Sequence, residues 1–137
     1  LDLKNHASKD SMMNTPPVFS VYTSMLNLRN LIENGGVEAA AVRNNAKGDL
    51  LYAEIDSNPL FYGPIATEDR SNMNVTFLLT EGAPSDIFDA MWKEAGIIGI
   101  KGHRSVGGYR ASMYNALPLS SVQVMVDVMK EFTRKNG

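Results

Sequence analysis

Apolar residues recur at helical spacing through Val18, Val21, Tyr22, Met25, Leu28, Leu31 and Ile32, which predicts an amphipathic helix with that stripe as its buried face. Thr15 before Pro16 reads as its N-cap, with the proline in the first turn. Gly35-Gly36 ends it. A second helical stretch follows from about Val37 to Ile55, with Ala39, Val42, Ala46, Leu50 and Ala53 in register and Gly48 as a local weak point. Residues 1–14 lack apolar periodicity and read as a loop or arm.

Residues 56–71 hold Pro59, Gly63 and Pro64 and predict an irregular connection with room for a short strand. Met73 to Thr80 is rich in strand formers. Ala83-Pro84-Ser85 opens a third helix that runs to about Ala95, with Ile87, Met91 and Trp92 as its inner side, and Gly96 closes it. Ile97-Ile98-Gly99-Ile100 reads as a short apolar strand and Tyr109 to Tyr114 as another. Leu119 to Phe132 is the last helix, striped by Val122, Met125, Val126, Met129 and Phe132. The order is two helices, then β-α-β-β-α, an α+β class. The best domain boundary is Gly35-Gly36, dividing residues 1–35 from an α+β unit of residues 36–137.

Composition narrows the class. Hydrophobic residues make up 44% and charged residues 20% of 137, ordinary for a globular chain. The net charge is −2, which disfavours a general binder of nucleic acid or membrane surfaces. There is no cysteine, so disulfides, thiolate metal sites and a cysteine nucleophile are excluded. Two histidines without ligand spacing argue against a metal site. The chain begins at Leu1 rather than Met, which leads us to expect a processed or truncated product.

Charge is unevenly placed. No acidic residue stands between Glu94 and Asp127, while Lys101, His103, Arg104 and Arg110 cluster around Gly102, Gly107 and Gly108. Guanidinium groups bind carboxylate and phosphate through paired hydrogen bonds, and glycines let backbone approach a ligand. The segment is either a small-anion site or a solvated basic turn. Arg110, on one strand face with Ser112 and Tyr114, is either a ligand clamp or an ordinary edge-strand arginine. Asn14-Thr15 ahead of Pro16-Pro17 offers polar groups and a helix start to a phosphate, or simply caps the helix.

The run from Gly102 to Ala116, GHRSVGGYRASMYNA, resembles the C-terminal signature of the phosphoserine aminotransferase family, class-V pyridoxal-phosphate enzymes of fold type I. Ser11-Met-Met-Asn-Thr-Pro-Pro17, Gly35-Gly36-Val37, Leu50-Leu51-Tyr52, Arg70-Ser-Asn-Met-Asn-Val75 and Met129-Lys-Glu-Phe132 are similar to family segments in the same order. The resemblance covers essentially the whole chain. Asn30, where the family usually has Trp, and Gly48, where it has a helix former, depart from the pattern.

The resemblance implies an aspartate-aminotransferase-like fold, here the small C-terminal α+β domain (helices on a small, largely antiparallel sheet) preceded by a long helix from the large cofactor domain. It implies a cytoplasmic homodimer that moves an amino group between glutamate and 3-phosphohydroxypyruvate, giving 2-oxoglutarate and phosphoserine, without nucleic acid or membrane partners. By resemblance, Arg110 grips the substrate α-carboxylate, and His103 and Arg104 bind the phosphate or distal carboxylate. Asn14 and Thr15 reach the phosphate of pyridoxal 5'-phosphate across the dimer interface. No catalytic residue is assigned, because none of Lys4, Lys9, Lys47, Lys93, Lys101, Lys130 or Lys135 sits in the family's cofactor-lysine motif. The isolated chain is therefore expected to be inactive. The alternatives are a stand-alone module that binds small anions and a dimerising domain without a ligand, which would self-associate through its first two helices.

Overall fold

The structure is a computed structural model that describes residues 2–102 and 107–137. It divides into two compact units, Leu1–Ala39 and Ala40–Gly137.

In the smaller unit, α1 (Leu3–Ala7) stands where the sequence suggests an unstructured arm. The Asp2 carboxylate caps it by accepting from the Lys4 backbone N–H at 3.0 Å. Helix α2 spans Val18–Glu33, and no side chain caps it. Thr15 is thus not its N-cap. Pro17 forces Pro16 out of helical conformation, so the helix starts two residues later than Pro16. Its apolar stripe is not buried: Val18, Val21, Tyr22, Leu28 and Ile32 are all exposed. Gly35, with φ +89°, accommodates the left-handed exit that a side chain would strain.

Helix α3 (Gly36–Ser57) carries the chain into the larger unit. There the order is β1 (Phe61–Tyr62), a 3₁₀ turn at Thr67–Asp69, β2 (Asn74–Leu79), α4 (Ser85–Glu94), β3 (Tyr109–Ser112) and α5 (Leu119–Asn136). The strands form one antiparallel sheet in the order β1-β2-β3. Phe61 pairs with Leu79, Val75 with Ala111, and Phe77 with Tyr109. This is the α+β architecture the sequence predicts.

Five rings meet in the core, Phe61, Phe77, Phe88, Tyr109 and Phe132, one each from the three strands, α4 and α5, and α3 adds Leu51 and Ile55. Phe88 sits at their centre, 5.1 Å from Phe61, 5.0 Å from Tyr109 and 5.1 Å from Phe132. Edge-to-face contacts suit rings at these spacings. Val122, Met125, Val126, Met129 and Phe132 are buried, as the spacing of α5 requires.

Three expectations fail here for physical reasons. Residues 97–100 are not a strand. Gly96 (φ +77°) and Gly99 (φ +72°) bend the run, and Ile98 is 88% exposed. The Ile97 and Gly96 N–H groups instead bond back to the Trp92 and Lys93 carbonyls, which closes α4 as a Schellman turn. In α4 the inner positions are Phe88 and Trp92, with Ile87 exposed one residue out of phase. In α3 the buried positions are Lys47, Gly48, Leu51, Glu54 and Ile55 rather than the alanine and valine stripe.

Gly48 is a contact point, not only a weak point. A Cβ there would lie 2.6 Å from Oδ1 and 2.9 Å from Cγ of Asn72, whose amide donates to Asn45 at 2.8 Å. Gly48→Ala is therefore expected to cost about 1 kcal/mol, overpacking outweighing the helix-propensity gain of about 1 kcal/mol. In an Asn72→Gly background, which also removes the Asn72 Cβ that would lie 3.1 Å away, the same change should stabilise by about 1 kcal/mol. Urea unfolding of both pairs checks the reversal; a stabilised single variant would show that Asn72 yields freely.

Candidate functional site

The candidate site of the larger unit is built on β3. Its alternation turns Tyr109 and Ala111 into the core and leaves Arg110 and Ser112 exposed. Arg110 lies opposite Thr76 of β2, and its backbone N–H bonds the Ile100 carbonyl at 2.6 Å. Among the described residues its guanidinium has no ion pair or hydrogen bond. It borders a cleft of about 140 Å³ whose lining includes Ile97, Ile100, Ser112, Ser121 and Met125. An unengaged fork of N–H donors beside an apolar cleft suits a small carboxylate with an organic body.

Lys101 departs from the expected basic patch. Its ammonium is paired with the carboxylate of Asp89 on α4 and lies 5.3 Å from the Tyr109 ring centre. Asp89 also accepts from Tyr109 OH at 2.9 Å and Trp92 Nε1 at 3.1 Å. Burial pushes the Asp89 carboxyl up, but these donors and the Lys101 charge outweigh it and hold it below the usual carboxylate range. Tyr109 is raised well above its ordinary value by burial first, then by its bond to Asp89 and that residue's charge. Lys101 thus serves the fold of the segment, and Arg110 remains as the described cation without a partner at this site. His103 and Arg104 lie outside the described residues.

The far end of β3 has its own anchor, which the sequence does not reveal. Lys47 of α3 is 1% exposed. Its Nζ donates to the carbonyls of Met113 (2.9 Å), Tyr114 (2.8 Å) and Leu117 (3.1 Å). Asn44 Nδ2 adds a bond to Asn115 Oδ1 at 2.7 Å. The turn that follows β3 is thereby fixed to α3. In the sequence its one signal is a lysine that falls off the alanine and valine stripe of α3.

Arg70 is unavailable for a ligand. It makes a two-bond pair with Asp56, at 2.6 and 2.8 Å, and lies over Tyr52, 4.6 Å from the ring centre. The Asp56 carboxyl is held low by that bond. Asn14 and Thr15 belong to the other unit, in the extended stretch before α2. Both are exposed and make no side-chain hydrogen bond among the described residues. Amide and hydroxyl donors of this kind suit phosphate oxygens. No cluster able to hold a metal, and no helix long and apolar enough to cross a membrane, occurs among the described residues.

Helices packed on a three-stranded antiparallel sheet make an α+β domain, and comparison places it among the aspartate-aminotransferase-like folds. The class-V aminotransferase family model matches residues 1–125, and the chain belongs to that family. The phosphoserine aminotransferase of Flavobacterium johnsoniae is 59% identical over 135 residues, 98% of this chain and 38% of that protein. That of Bacteroides thetaiotaomicron is 49% identical over 136 residues, again 38% of its length. The structure of phosphoserine aminotransferase from Bacillus circulans subsp. alkalophilus matches 98% of this chain and 37% of its own, with TM-score 0.87 and 37% identity. A PLP-bound phosphoserine aminotransferase from Trichomonas vaginalis matches with TM-score 0.81 and 36% identity, over 94% of this chain and 37% of its own. The chain spans about 38% of the length of these curated relatives.

Pyridoxal-phosphate chemistry needs a lysine free to bond the cofactor's carbonyl. In the larger unit Lys47 and Lys101 are committed as described. Lys130 faces Glu54 at 3.9 Å, Lys135 pairs with Glu131 at 3.1 Å, and Lys93 lies over Trp92. Lys4 and Lys9 are exposed in the smaller unit. Asn14 and Thr15 supply amide and hydroxyl donors of the kind that suit the phosphate end of such a cofactor, while Lys4 and Lys9 have no ion pair among the described residues.

Proposed function

We propose that the protein carrying this chain is a phosphoserine aminotransferase, exchanging an amino group between phosphoserine and 2-oxoglutarate to give 3-phosphohydroxypyruvate and glutamate. In this reading residues 1–35 close its cofactor domain and residues 36–137 form its small domain. The observation that carries it is Arg110, held rigidly on β3 with an unengaged guanidinium at a cleft, in a chain 59% identical to a phosphoserine aminotransferase.

All four reactants share an α-carboxylate, so one arginine clamp serves both halves of the exchange. The distal groups differ, a phosphate in one pair and a carboxylate in the other. A second cationic site must accept both, and His103 and Arg104 are assigned to it. Asn14 and Thr15 would donate to the cofactor phosphate across a homodimer interface. Pyridoxal phosphate supplies the carbonyl that takes up and releases the amino group. Held by Arg110, the substrate's α-carbon is restricted to one orientation, which lowers the entropic cost of the transfer.

The test is transamination by the full-length protein, followed as glutamate formed from phosphoserine and 2-oxoglutarate. Turnover by the full-length protein and none by residues 1–137 alone is the expected result. Turnover by the 137 residues alone would overturn the division of labour. The alternative, a stand-alone anion-binding module, would show as retained phosphoserine binding by the isolated chain with no turnover in any longer form.

A further inference from the structure

The geometry points to Asp89 as a positioning residue for the substrate clamp, holding β3 and the segment beside it in the register that presents Arg110. The inference rests on the proposed role of Arg110. Asp89 stands twenty residues before Tyr109, on α4, and is not one of the residues that line the cleft. Its carboxylate gathers Lys101, which precedes Gly102, and Tyr109, which follows Gly108. These two residues face each other as an isolated antiparallel bridge. On either side of that bridge the Gly102 N–H bonds the Gly108 carbonyl at 2.8 Å, and the Arg110 N–H bonds the Ile100 carbonyl at 2.6 Å.

This bridge needs an external anchor because its own residues favour disorder. Gly99, Gly107 and Gly108 all have positive φ, and glycine loses more conformational freedom on ordering than any other residue. A Cβ on Gly108 would lie 2.9 Å from the Phe77 carbonyl, and one on Gly102 would collide with the Gly107 carbonyl, so neither glycine can be replaced to stiffen the segment. Beside the β2 ladder that holds Tyr109 and Arg110 on one side, a single carboxylate with three donors, Lys101, Tyr109 and Trp92, ties the opposite edge to α4, with Trp92 orienting it. Arg110 follows Tyr109 directly in the chain. Loss of Asp89 leaves Lys101 and the Tyr109 hydroxyl without their acceptor and frees the Ile100–Gly102 edge to part from β3.

The experiment uses the full-length protein with Asp89→Asn, and Asp56→Asn as a control that breaks an ion pair to Arg70 instead. Residue-resolved hydrogen exchange at Gly102 and Arg110 is read together with transamination of phosphoserine. Asp89→Asn is expected to speed exchange at both amides and to raise KM about tenfold with kcat within about twofold. Asp56→Asn should leave both readouts within about twofold of wild type. Unchanged protection of both amides in Asp89→Asn overturns the inference, as does an equal rise of KM in both variants. A wild-type protein that does not turn over phosphoserine would remove the proposed function, and the exchange rates would still decide the role of Asp89.

Discussion

Replacing Arg110 by alanine in the full-length protein is expected to raise KM for phosphoserine by about thirtyfold or more while leaving the fold intact. The two halves of that expectation have different origins. Stability should barely move, because the side chain lies on the outward face of β3 and makes no described ion pair or hydrogen bond. Surface changes of this kind stay within about 0.5 kcal/mol. Binding should fall steeply, because losing one member of a desolvated charge pair costs about 2–5 kcal/mol, and each 1.4 kcal/mol is tenfold.

Arg110→Lys separates charge from geometry. Lysine keeps the positive charge but not the two parallel N–H bonds, so it should recover only part of the loss. KM for glutamate should rise alongside that for phosphoserine, since both present the same α-carboxylate. Steady-state kinetics with each substrate and a thermal melt of each variant check this. A variant with normal KM and a collapsed melting temperature would make Arg110 a structural residue.

The sequence pattern exposed some layers of this molecule and hid others. Alternation in Tyr109 to Tyr114 correctly separated Arg110 and Ser112 from the core, because a strand half buried in a sheet must alternate. The stripe of α5 was equally legible, since all five of its apolar positions meet one core. In α3 the inner face is marked by Lys47, Gly48 and Glu54, so polarity pointed the wrong way. Each is explained only by distant partners: three carbonyls after β3, the side chain of Asn72, and Asn58, whose amide donates to Glu54 at 2.7 Å.

In α2 periodicity showed that an apolar face exists but not what covers it, and Val18, Val21 and Leu28 stay exposed. The same distinction governs the site. Arg110 stood out because its neighbours in sequence are unusual. Asp89 did not, because it acts on residues far along the chain and sits in an ordinary helix among ordinary charges. Counting charges between Glu94 and Asp127 suggested an unopposed basic patch, and the folded chain brings in an acid from outside that interval to neutralise part of it.

Lys47→Met is expected to destabilise the larger unit by about 3 kcal/mol or more, since a buried carbonyl left without its donor costs about 1–3 kcal/mol. Methionine approximates the volume of the lysine stem, so the loss reports the three N–H···O bonds rather than a cavity. Three acceptors match the three N–H groups of an ammonium, so Lys47 is charged at neutral pH. Burial, and then the nearby Arg43 charge, nonetheless draw it below the usual lysine range. Between the lowered folded value and the unfolded value of 10.5, the unfolded chain binds more protons at this site, so its contribution to stability rises with pH. Below that window the contribution is flat. Urea unfolding at pH 7 and at values rising toward 10.5 should therefore show a large offset between wild type and Lys47→Met that widens as pH rises. Lys47→Arg should also destabilise, because a planar guanidinium cannot direct its donors to carbonyls spread over Met113, Tyr114 and Leu117. A methionine variant as stable as wild type would mean that water or backbone rearrangement satisfies the turn, and that the end of β3 is not held by this lysine.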